Sequence, residues 1–459
     1  MKRNLLIVLL ILYLQNLAFG QKYDPTYFSK QEIENDLQYL KEKVVSMHPK
    51  FLNKVYSENW QIKCDALLNN LADSISFNES FVAMSGLLAG IKDEHTSFNF
   101  SYDERRKYML NGGVTMPFTI CVKNNKLFIN EYFGENQSHK LEGAELLSIN
   151  SIESQKLLND VRILAGTENS ECGDQSVERL FGMCYWMLYG EAKEYHLKTA
   201  EIDSVVKVKA VSNSRYFELK NKYYPKLNQK AFDLKFSDKN ELAILKIQSF
   251  YDTKKLASFF EYAFDTIAQN KCANLIIDVR DNPGGRSSAV DSLMNYLINK
   301  PYSQYSSISI RVSDEIKNNY KERRPEIYSL IADLPNDSLY QLNDSLFIHT
   351  PAYKTSQFRG NVFVLVNGRT LSAAATFAGV IRENKIGEII GCKPTGGTIR
   401  YYGDYLTFEL PNTGMKFVVS PKKFVQYGGE NPDQGVILGI LLDNDDCSIA
   451  DLALKCKGN

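Results

Sequence analysis

Hydrophobic positions near the start of the chain repeat with the spacing of a helix. Ser29-Lys30-Gln31-Glu32 has the form of a capping box, in which Ser and Glu satisfy free amides of the first helical turn. The apolar residues behind it lie on one helical face, and His48-Pro49 ends the pattern: Ile33, Leu37, Leu40 and Val44. A second helix is predicted from about Glu79 to Ile91. The pattern predicts an N-terminal helical domain over residues 21–112.

The pattern changes to short strands from about residue 113 to residue 212. Phe118–Val122 and Lys126–Asn130 have the alternating or clustered apolar residues of strands. Gly143–Asn150 places a glycine before a short apolar strand that ends in Ser-Ile-Asn, which is similar to a PDZ-like module. That similarity implies a sheet edge that binds an extended peptide. A plain β-rich linker domain is the alternative.

The second half of the chain alternates strands and helices. Continuous apolar runs predict buried strands, and amphipathic segments between them predict helices: strands at 242–247, 273–279, 362–366 and 388–391, and helices at 254–270 and 372–384. Apolar strands separated by helices predict a sheet covered on its faces, which is an α/β core. The polar stretch Ser313–Asn343 is interpreted as an insertion between core elements.

Residues 1–20 have the features of a secretory signal peptide. Lys2 and Arg3 precede the apolar run Leu5–Leu14, and Ala18-Phe19-Gly20 supplies small residues before Gln21. The apolar run is short for a membrane span, and we expect an exported protein, periplasmic or secreted, without a stable membrane span after cleavage. An uncleaved N-terminal anchor is the alternative.

Composition and charge exclude several classes of protein. The 459 residues include 54 basic and 54 acidic side chains, so no basic surface for nucleic acid is expected. The eight cysteines are too sparse for a disulfide scaffold. Cys172 with Cys184, or Cys447 with Cys456, are candidate bridges, and buried free thiols are equally compatible with the pattern. The histidines are far apart and no phosphate-binding loop occurs, so neither a metal nor another cofactor is expected.

Two segments of the predicted α/β core carry candidate chemistry. Asp278–Gly285 follows a buried strand and ends in adjacent glycines, whose backbone N–H groups can turn toward a ligand. In the second segment, Asn367–Ala374, a strand turns into a helix at Ser372. A serine at that position has free N–H groups and the helix dipole beside it, as a nucleophile needs. A simple N-cap is the alternative for Ser372.

These segments resemble the C-terminal processing (tail-specific) serine peptidases. The resemblance is carried by Asp278–Gly285, Thr370–Ala374 and Ile390–Gly397, in this order. Upstream, Asp93-Glu94-His95-Thr96 is similar to the Asp-x-His-Thr segment of the tricorn-like branch of that family. The resemblance implies a crotonase-like ββα-superhelix core over residues 213–459, preceded by the helical and PDZ-like domains.

The same resemblance implies a role for each site residue. Ser372 would be the nucleophile, and His95 would be the general base that takes its proton. The backbone N–H of Ala373, with that of Gly284 or Gly285, would form the oxyanion hole. These groups are the parts of an acyl-transfer site.

Two further segments distinguish the branches of the family. The Ser-Lys branch has its lysine directly after Thr-x-Gly, where this chain has Thr398, so the His-dependent branch fits better. Lys393 is interpreted as a solvated loop residue. Glu430 is the candidate acidic residue beyond the nucleophile, with Asp433 second; Leu438-Gly439 departs from the family's Pro-Asp at that point.

The sequence therefore predicts a serine endopeptidase that cleaves unfolded or C-terminal polypeptide segments. A catalytically silent peptide-binding protein of the same fold is the main alternative, and hydrolysis of a small ester or amide would use the same site. A polypeptide substrate is the expected partner.

Overall fold

The computed structural model describes residues 23–100, 102–134, 141–165, 171–223, 231–237, 241–343, 347–428, 431 and 434–442. The expected signal peptide lies outside these residues. The α-helices are α1 (Lys30–Met47), α2 (Lys54–Asn69), α3 (Phe77–Ala89), α4 (Tyr102–Leu110), α5 (Ser154–Leu164), α6 (Glu171–Tyr189), α7 (Asn213–Tyr223), α8 (Thr253–Gln269), α9 (Ser287–Met294), α10 (Asp314–Arg323), α11 (Pro325–Ile331) and α12 (Ala373–Glu383). A 3₁₀ turn spans Pro49–Leu52.

The strands are mostly short. They are β1 (Tyr27–Ser29), β2 (Ser74–Ser76), β3 (Val114–Thr115), β4 (Phe118–Lys123), β5 (Lys126–Tyr132), β6 (Leu146–Ile149), β7 (Ile152–Glu153), β8 (Glu194–Thr199), β9 (Val206–Lys209), β10 (Val211–Ser212), β11 (Phe232–Phe236), β12 (Leu242–Ile247), β13 (Asn274–Asp278), β14 (Tyr302–Ser303), β15 (Tyr305–Val312), β16 (Ser338–Gln341), β17 (Ile348–His349), β18 (Asn361–Leu365), β19 (Gly387–Gly391), β20 (Arg400–Gly403), β21 (Leu406–Glu409), β22 (Lys416–Val419), β23 (Lys422–Gln426) and β24 (Ile440–Leu441).

The first predicted helix is confirmed with its cap. Ser29 is the N-cap of α1, and the reciprocal bonds of the capping box join Ser29 and Glu32. A second capping box, between Ser76 and Glu79, starts α3 two residues before the predicted start. The prediction did not include α2, which is capped by Asn53. Its apolar face is narrow, with Trp60 and Cys64 as the buried apolar side chains, so its hydrophobic periodicity is weak.

Residues 114–212 begin and end on paired strands. β3 and β10 are antiparallel, with Val114 opposite Ser212 and Thr115 opposite Val211. Between them lie the β4–β5 hairpin, the four-stranded sheet β7-β6-β8-β9, and the helices α5 and α6. The buried residues of this segment share one hydrophobic cluster with α1, α2 and α3. The helical and β-rich parts of the N-terminal half are therefore packed on a common core.

A six-stranded sheet organises the C-terminal half. Its strand order is β11-β12-β13-β18-β19-β24; β11 is antiparallel to β12, and the other neighbours are parallel. Helices α8, α9 and α12 bury their apolar residues in a second hydrophobic cluster on one face of this sheet. A smaller apolar cluster that includes Ile276 and Leu365 covers the opposite face. The predicted α/β character is thus confirmed, and the parallel strands bury both faces.

The polar stretch 313–343 folds as part of the structure. It forms α10, α11 and β16, and β16 adds to an antiparallel sheet of order β16-β15-β23-β20. Ile316, Tyr320 and Ile331 are buried in the cluster shared with the N-terminal helices. Lys43 of α1 donates to the carboxylate of Glu315. The stretch is outside the parallel sheet, as predicted, and it connects the sheet-bearing half to the N-terminal half.

Cys184 is a buried free thiol, so the candidate Cys172–Cys184 bridge is not formed. Burial raises the pKa of the Cys184 thiol above its usual range. Cys447 and Cys456 lie outside the described residues. Within the described ranges, no helix combines the length and apolar character that a bilayer span requires.

Candidate active site

Two loops meet where neighbouring parallel strands end. Asp278 at the end of β13 pairs with Leu365 at the end of β18, so the segments that follow these strands leave the sheet side by side. The Asn367 side chain joins them, because its amide group donates to the Asp281 carboxylate at 3.1 Å and its oxygen accepts the Asp281 N–H at 3.1 Å. Leu371 N–H donates to the Asn282 carbonyl at 2.9 Å. The two predicted segments are thus held together over their whole length.

Ser372 has a strained backbone at the start of α12. Its φ of 49° and ψ of −124° are rare for a residue with a Cβ atom. Ser372 is the N-cap residue, but its side chain makes no capping hydrogen bond. Its carbonyl accepts from the backbone N–H and the hydroxyl of Thr376 at 2.9 and 3.1 Å. The simple N-cap explanation therefore does not account for this serine, whose hydroxyl is left for other chemistry.

Gly284 lies directly against Ser372. A Cβ atom on Gly284 would be 2.6 Å from the Ser372 Cβ and 2.9 Å from the Ala373 nitrogen. Gly284 also has a φ of 95°, which side chains rarely adopt. Gly285 has a φ of 141°, and a Cβ there would be 2.4 Å from the Phe250 carbonyl carbon. Both glycines are required by the close approach of backbones as well as by their conformation.

The two glycines differ in the state of their N–H groups. Gly284 N–H donates to the side-chain oxygen of Asn282 at 2.8 Å. In the described part of the chain, the N–H groups of Gly285 and Ala373 have no hydrogen-bond acceptor. Of the two glycines considered from the sequence, Gly285 is the one with an available donor. Gly285 directly follows the glycine that contacts Ser372, and with Ala373 it gives two candidate donors for an oxyanion hole.

His95 lies in the turn that follows α3, on a segment docked along β22. The Ser420 hydroxyl donates to the His95 carbonyl at 2.9 Å, and the Ser420 N–H donates to the Thr96 hydroxyl at 3.0 Å. The His95 side chain is 35% exposed, so its ring can reach a substrate. The segment that carries the predicted base is therefore fixed to the strands that precede β23.

Asp93 is buried between two histidines. Its carboxylate is 3.2 Å from Nε2 of His48 and 3.8 Å from Nδ1 of His95. Burial raises the pKa of Asp93, but the contacts with His48 and His95 lower it by more than burial raises it. The net pKa of Asp93 is well below its usual range. Burial lowers the pKa of His95, but Asp93 and then Glu94 raise it, and the net pKa is above the ordinary value. The carboxylate next to His95 is therefore ionised at neutral pH.

Tyr401 on β20 lies between His95 and the start of α12. Its ring centroid is 6.0 Å from that of His95. Its hydroxyl is 3.2 Å from the Tyr305 hydroxyl and also interacts with Thr376, whose hydroxyl donates to the Ser372 carbonyl. No hydrogen bond among the described contacts joins the ring of His95 directly to the Ser372 hydroxyl. Tyr401 connects the two parts of the predicted site.

The Thr395–Thr398 loop contacts the nucleophile loop through its backbone. Gly396 N–H donates to the Thr370 carbonyl at 3.0 Å. Lys393 is exposed, in agreement with its interpretation as a solvated residue. Glu430 and Asp433, the candidates for the acidic residue beyond the nucleophile, both lie outside the described residues.

One ion pair connects the nucleophile loop to the segment 114–212. Arg369 Nη2 is 2.7 Å from Oε1 of Glu178 on α6, and the same oxygen accepts the Val122 N–H of β4 at 2.8 Å. Burial lowers the pKa of Arg369, but Glu178 raises it to a net value above the ordinary one. Arg369 precedes Ser372 by three residues in the chain. Glu178 therefore links the edge of β4 to the nucleophile loop through its contacts with Val122 and Arg369.

Sequence reasoning missed several residues that build this site. Asn282 and Asn367 orient the two loops, and Thr376 donates to the Ser372 carbonyl. Tyr401 and Asp93 lie next to His95. Asp93 was within the quoted Asp-x-His-Thr segment, and Asn282 within Asn-Pro-Gly-Gly, so their positions were a usable signal. The sequence contains no signal for Tyr401, because only the tertiary fold brings β20 to His95.

The described residues contain no cluster of three or more His, Cys, Asp or Glu side chains that could hold a metal ion.

Comparisons with known proteins place these loops in a family. Residues 241–431 match the sequence model of Peptidase family S41. Mature CPAF superimposes with a TM-score of 0.62 at 14% identity, over 90% of this chain and 93% of that chain. CPAF complexed with lactacystin superimposes with a TM-score of 0.60 at 14% identity, over 90% of this chain and 94% of that chain. The photosystem II D1 C-terminal processing protease superimposes with a TM-score of 0.48 at 14% identity, over 93% of this chain and 96% of that chain. Comparison with curated proteins found no significant match.

The matched segment contains Gly284, Gly285, Ser372 and Ala373, whereas His95 lies before it. The CPAF likeness shows that nearly the whole described chain shares that fold. The resemblance to the C-terminal processing serine peptidases is confirmed by these findings. Residues 241–431 therefore form a domain that matches peptidase family S41.

Proposed function

We propose that the chain is an exported serine endopeptidase that cleaves unfolded or C-terminal polypeptide segments through an acyl-enzyme on Ser372. The observation that carries this proposal is the strained Ser372, whose hydroxyl makes no cap, with the backbone of Gly284 pressed against it. Strain of this kind costs about 1–3 kcal/mol and persists where surrounding contacts enforce it, typically at functional sites.

The tetrahedral intermediate of acyl transfer needs donors for its oxyanion. The free N–H groups of Gly285 and Ala373 supply them in this proposal, and the dipole of α12 adds to their effect. Gly284 has a different role: it allows close approach, and its N–H is held by Asn282. Each oxyanion donor of this kind is worth about 10²–10³ in rate.

His95 is the general base in this mechanism. It takes the proton of Ser372 during acylation and returns a proton to the leaving amine, and water repeats the sequence during deacylation. Catalytic hydrogen bonds are often long in the absence of substrate, and the His95 ring is partly exposed beside Tyr401. A movement that brings His95 to Ser372 therefore belongs to the proposed cycle.

The fold assignment extends this proposal. We assign residues 213–459, which contain the matched segment, to a crotonase-like ββα-superhelix core, residues 113–212 to a PDZ-like module, and residues 21–112 to a helical domain. The paired ends of the segment 114–212 support its assignment as a unit. Ile120 and Val122 of β4 pair with β5 on one side, and Val122 N–H points to the other edge. An extended chain added at that edge would lie beside Glu178 and, through Arg369, close to the nucleophile loop.

The strand edge supports the proposed substrate, and the proposed location rests on the sequence of residues 1–20. A chain that displaced Glu178 from the Val122 N–H would bind the β4 edge through its backbone, which is available only in unfolded or terminal segments. Residues 1–20 serve as a signal peptide in this proposal, and the protein acts in the periplasm or after secretion. Glu430, with Asp433 second, stays the proposed acidic residue beyond the nucleophile.

Labelling with a fluorophosphonate probe tests the proposal. The full chain should be labelled on Ser372, as located by mass spectrometry, and Ser372→Ala should be neither labelled nor able to cleave an unfolded polypeptide. Labelling without cleavage of any polypeptide would favour hydrolysis of a small ester or amide. A folded chain that is not labelled at all would favour a catalytically silent peptide-binding protein.

A further inference from the structure

Asp93 is fixed by partners on three sides. Its side chain is 2% exposed. One carboxylate oxygen faces Nε2 of His48 at 3.2 Å, and the other accepts the backbone N–H of His95 at 3.1 Å. The latter oxygen is also the one that lies 3.8 Å from Nδ1 of His95. A carboxylate held in this way can rotate little, so its position relative to the His95 ring is set by the fold.

His48 is neutral and its tautomer follows from its neighbours. Nδ1 of His48 accepts the backbone N–H of Lys50 at 3.2 Å, so it carries no proton. Nε2 therefore carries the proton and donates it to Asp93. His48 is completely buried, and burial lowers its pKa below the ordinary value, against the opposing effect of Asp93. The partner of Asp93 is thus a hydrogen-bond donor without a charge.

The remaining polar groups around this pair leave the charge of Asp93 available to His95. Lys50 Nζ donates to the carbonyl of Lys92 at 2.9 Å, and Arg311 Nη1 donates to the carbonyl of His48 at 3.0 Å, so both cations are engaged by backbone oxygens. The other titratable groups that face the pair come from α2, the His95 turn and β20: Tyr56, Glu94 and Tyr402. The charge of Asp93 also acts on His48, Tyr56 and Tyr402, and the His95 imidazole is the partly exposed one of the two histidines that face it.

We propose that Asp93 is the positioning residue of the general base His95, and that the buried neutral His48 holds Asp93 in place for this role. The acidic residue that orients the base then precedes it by two residues, and Glu430, beyond the nucleophile, is left with polarising the site. The inference rests on the proposed function, since it assigns His95 as the base. The charge of Asp93, 3.8 Å from Nδ1, favours the tautomer of neutral His95 that has its proton on Nδ1, so that Nε2 is free to accept the proton of Ser372.

This arrangement has an electrostatic consequence with a definite sign. An ionised carboxylate beside an imidazole stabilises the imidazolium form, which raises the pKa of His95 above the ordinary value. The base is active when neutral, so labelling of Ser372 should increase with pH through an ionisation above about 6.5. In Asp93→Asn the charge is lost while burial remains, so that ionisation should move to lower pH. A residue that only supported the fold would not move it.

The test is the rate of fluorophosphonate labelling of Ser372 in the full chain, measured across pH. We expect Asp93→Asn to lower the maximal rate by about 10²–10⁴-fold and to shift the ionisation to lower pH. Glu430→Gln should leave the ionisation where it is in the unaltered chain. Glu94→Gln is the matched control for charge alone. It should shift the ionisation slightly to lower pH, with little loss of maximal rate. An unshifted ionisation in Asp93→Asn, or a shift in Glu430→Gln of the kind expected for Asp93→Asn, would overturn the inference.

A second measurement is independent of activity and of the folding of Asp93→Asn. Nitrogen NMR of the histidines in Ser372→Ala should show neutral His95 protonated on Nδ1 and titrating above the ordinary value. It should show His48 protonated on Nε2 and neutral across the range. Neutral His95 with its proton on Nε2, or a pKa at or below the ordinary value, would contradict the role of Asp93. If the unaltered chain is not labelled on Ser372, the proposed function fails, and the NMR result still decides whether Asp93 orients His95.

Discussion

Gly284 and Ser372 are so close that a Cβ atom on the glycine would lie 2.6 Å from the Cβ of the serine. This relationship joins the Asn-Pro-Gly-Gly loop to the start of α12. Two causes can require a glycine: a positive φ and a close contact. Gly112 has only the first, because its φ is 84° and a Cβ atom there would have no neighbour within 4 Å.

Replacing Gly284 by alanine should abolish labelling of Ser372. The added Cβ must push Ser372 or the Leu371 carbonyl away, and the Ala373 N–H would move with them. Gly112→Ala is the matched control and should cost about 1 kcal/mol of unfolding free energy through its φ alone, with labelling unchanged. Denaturant unfolding and probe labelling measure both effects. Normal labelling in Gly284→Ala would show that the close contact is not needed for the site.

Ser372→Ala should remove activity with little change in stability. The Ser372 hydroxyl makes no capping bond, so the usual loss of about 1 kcal/mol for an N-cap serine should not occur. Ser372→Gly should raise the unfolding free energy relative to Ser372→Ala by about 1 kcal/mol, because glycine adopts a φ of 49° without strain. Chemical denaturation of the two inactive variants gives the comparison. Equal stabilities would argue against backbone strain at this position.

His95→Ala should lower the rate of polypeptide cleavage by several orders of magnitude, leaving the residual effect of the oxyanion donors. Lys393→Ala is its control, since Lys393 is exposed and should change the rate little. The pKa of His95 is raised, so kcat/KM of the unaltered chain should increase with pH through an ionisation above about 6.5. A large loss in Lys393→Ala with activity retained in His95→Ala would assign the base to the lysine.

Breaking the Arg369–Glu178 pair should affect the nucleophile loop more than the fold. The partly exposed pair is expected to contribute about 0.2–1 kcal/mol to stability. Arg369→Met and Glu178→Gln should each lower the rate of Ser372 labelling, and the double variant should lose no more than the larger single effect. Lys41→Met, which breaks the comparable Lys41–Asp65 pair, should change stability similarly and leave labelling intact. Additive losses in the double variant would show that the two residues act separately.

The sequence predicted those elements whose local signals agree with their tertiary environment. The capping box at Ser29, the buried strand before Asp278 and the helix after Ser372 are strong because periodicity and end signals coincide. It missed α2, with its weak apolar face, and it gave no sign that residues 313–343 would pack on the N-terminal helices. Those contacts are long-range and leave no local periodicity.

The candidate site shows the same division. Motif order brought Ser372, Gly284 and Gly285 to attention, and their backbone contacts follow from the pairing of β13 with β18. The choice of Gly285 as donor depends on a side chain, Asn282, that takes the Gly284 N–H. The position of Tyr401 depends on how two sheets meet. Neither detail can be obtained from residue order alone.

The division of the interior into two clusters has a consequence for how this enzyme would lose activity. Ile91 and Phe98, which flank His95, belong to the cluster shared by the N-terminal half and the antiparallel sheet, whereas Ala373 and Ala374, which follow Ser372, belong to the cluster on the parallel sheet. The base and the nucleophile are thus carried by two blocks, each defined by its own hydrophobic cluster. A slip of one block against the other, with each still fully folded, is enough to disconnect them. Inactivation by heat or mild denaturant should therefore precede the loss of helical circular dichroism, because contacts between the blocks are lost before the packing inside each block.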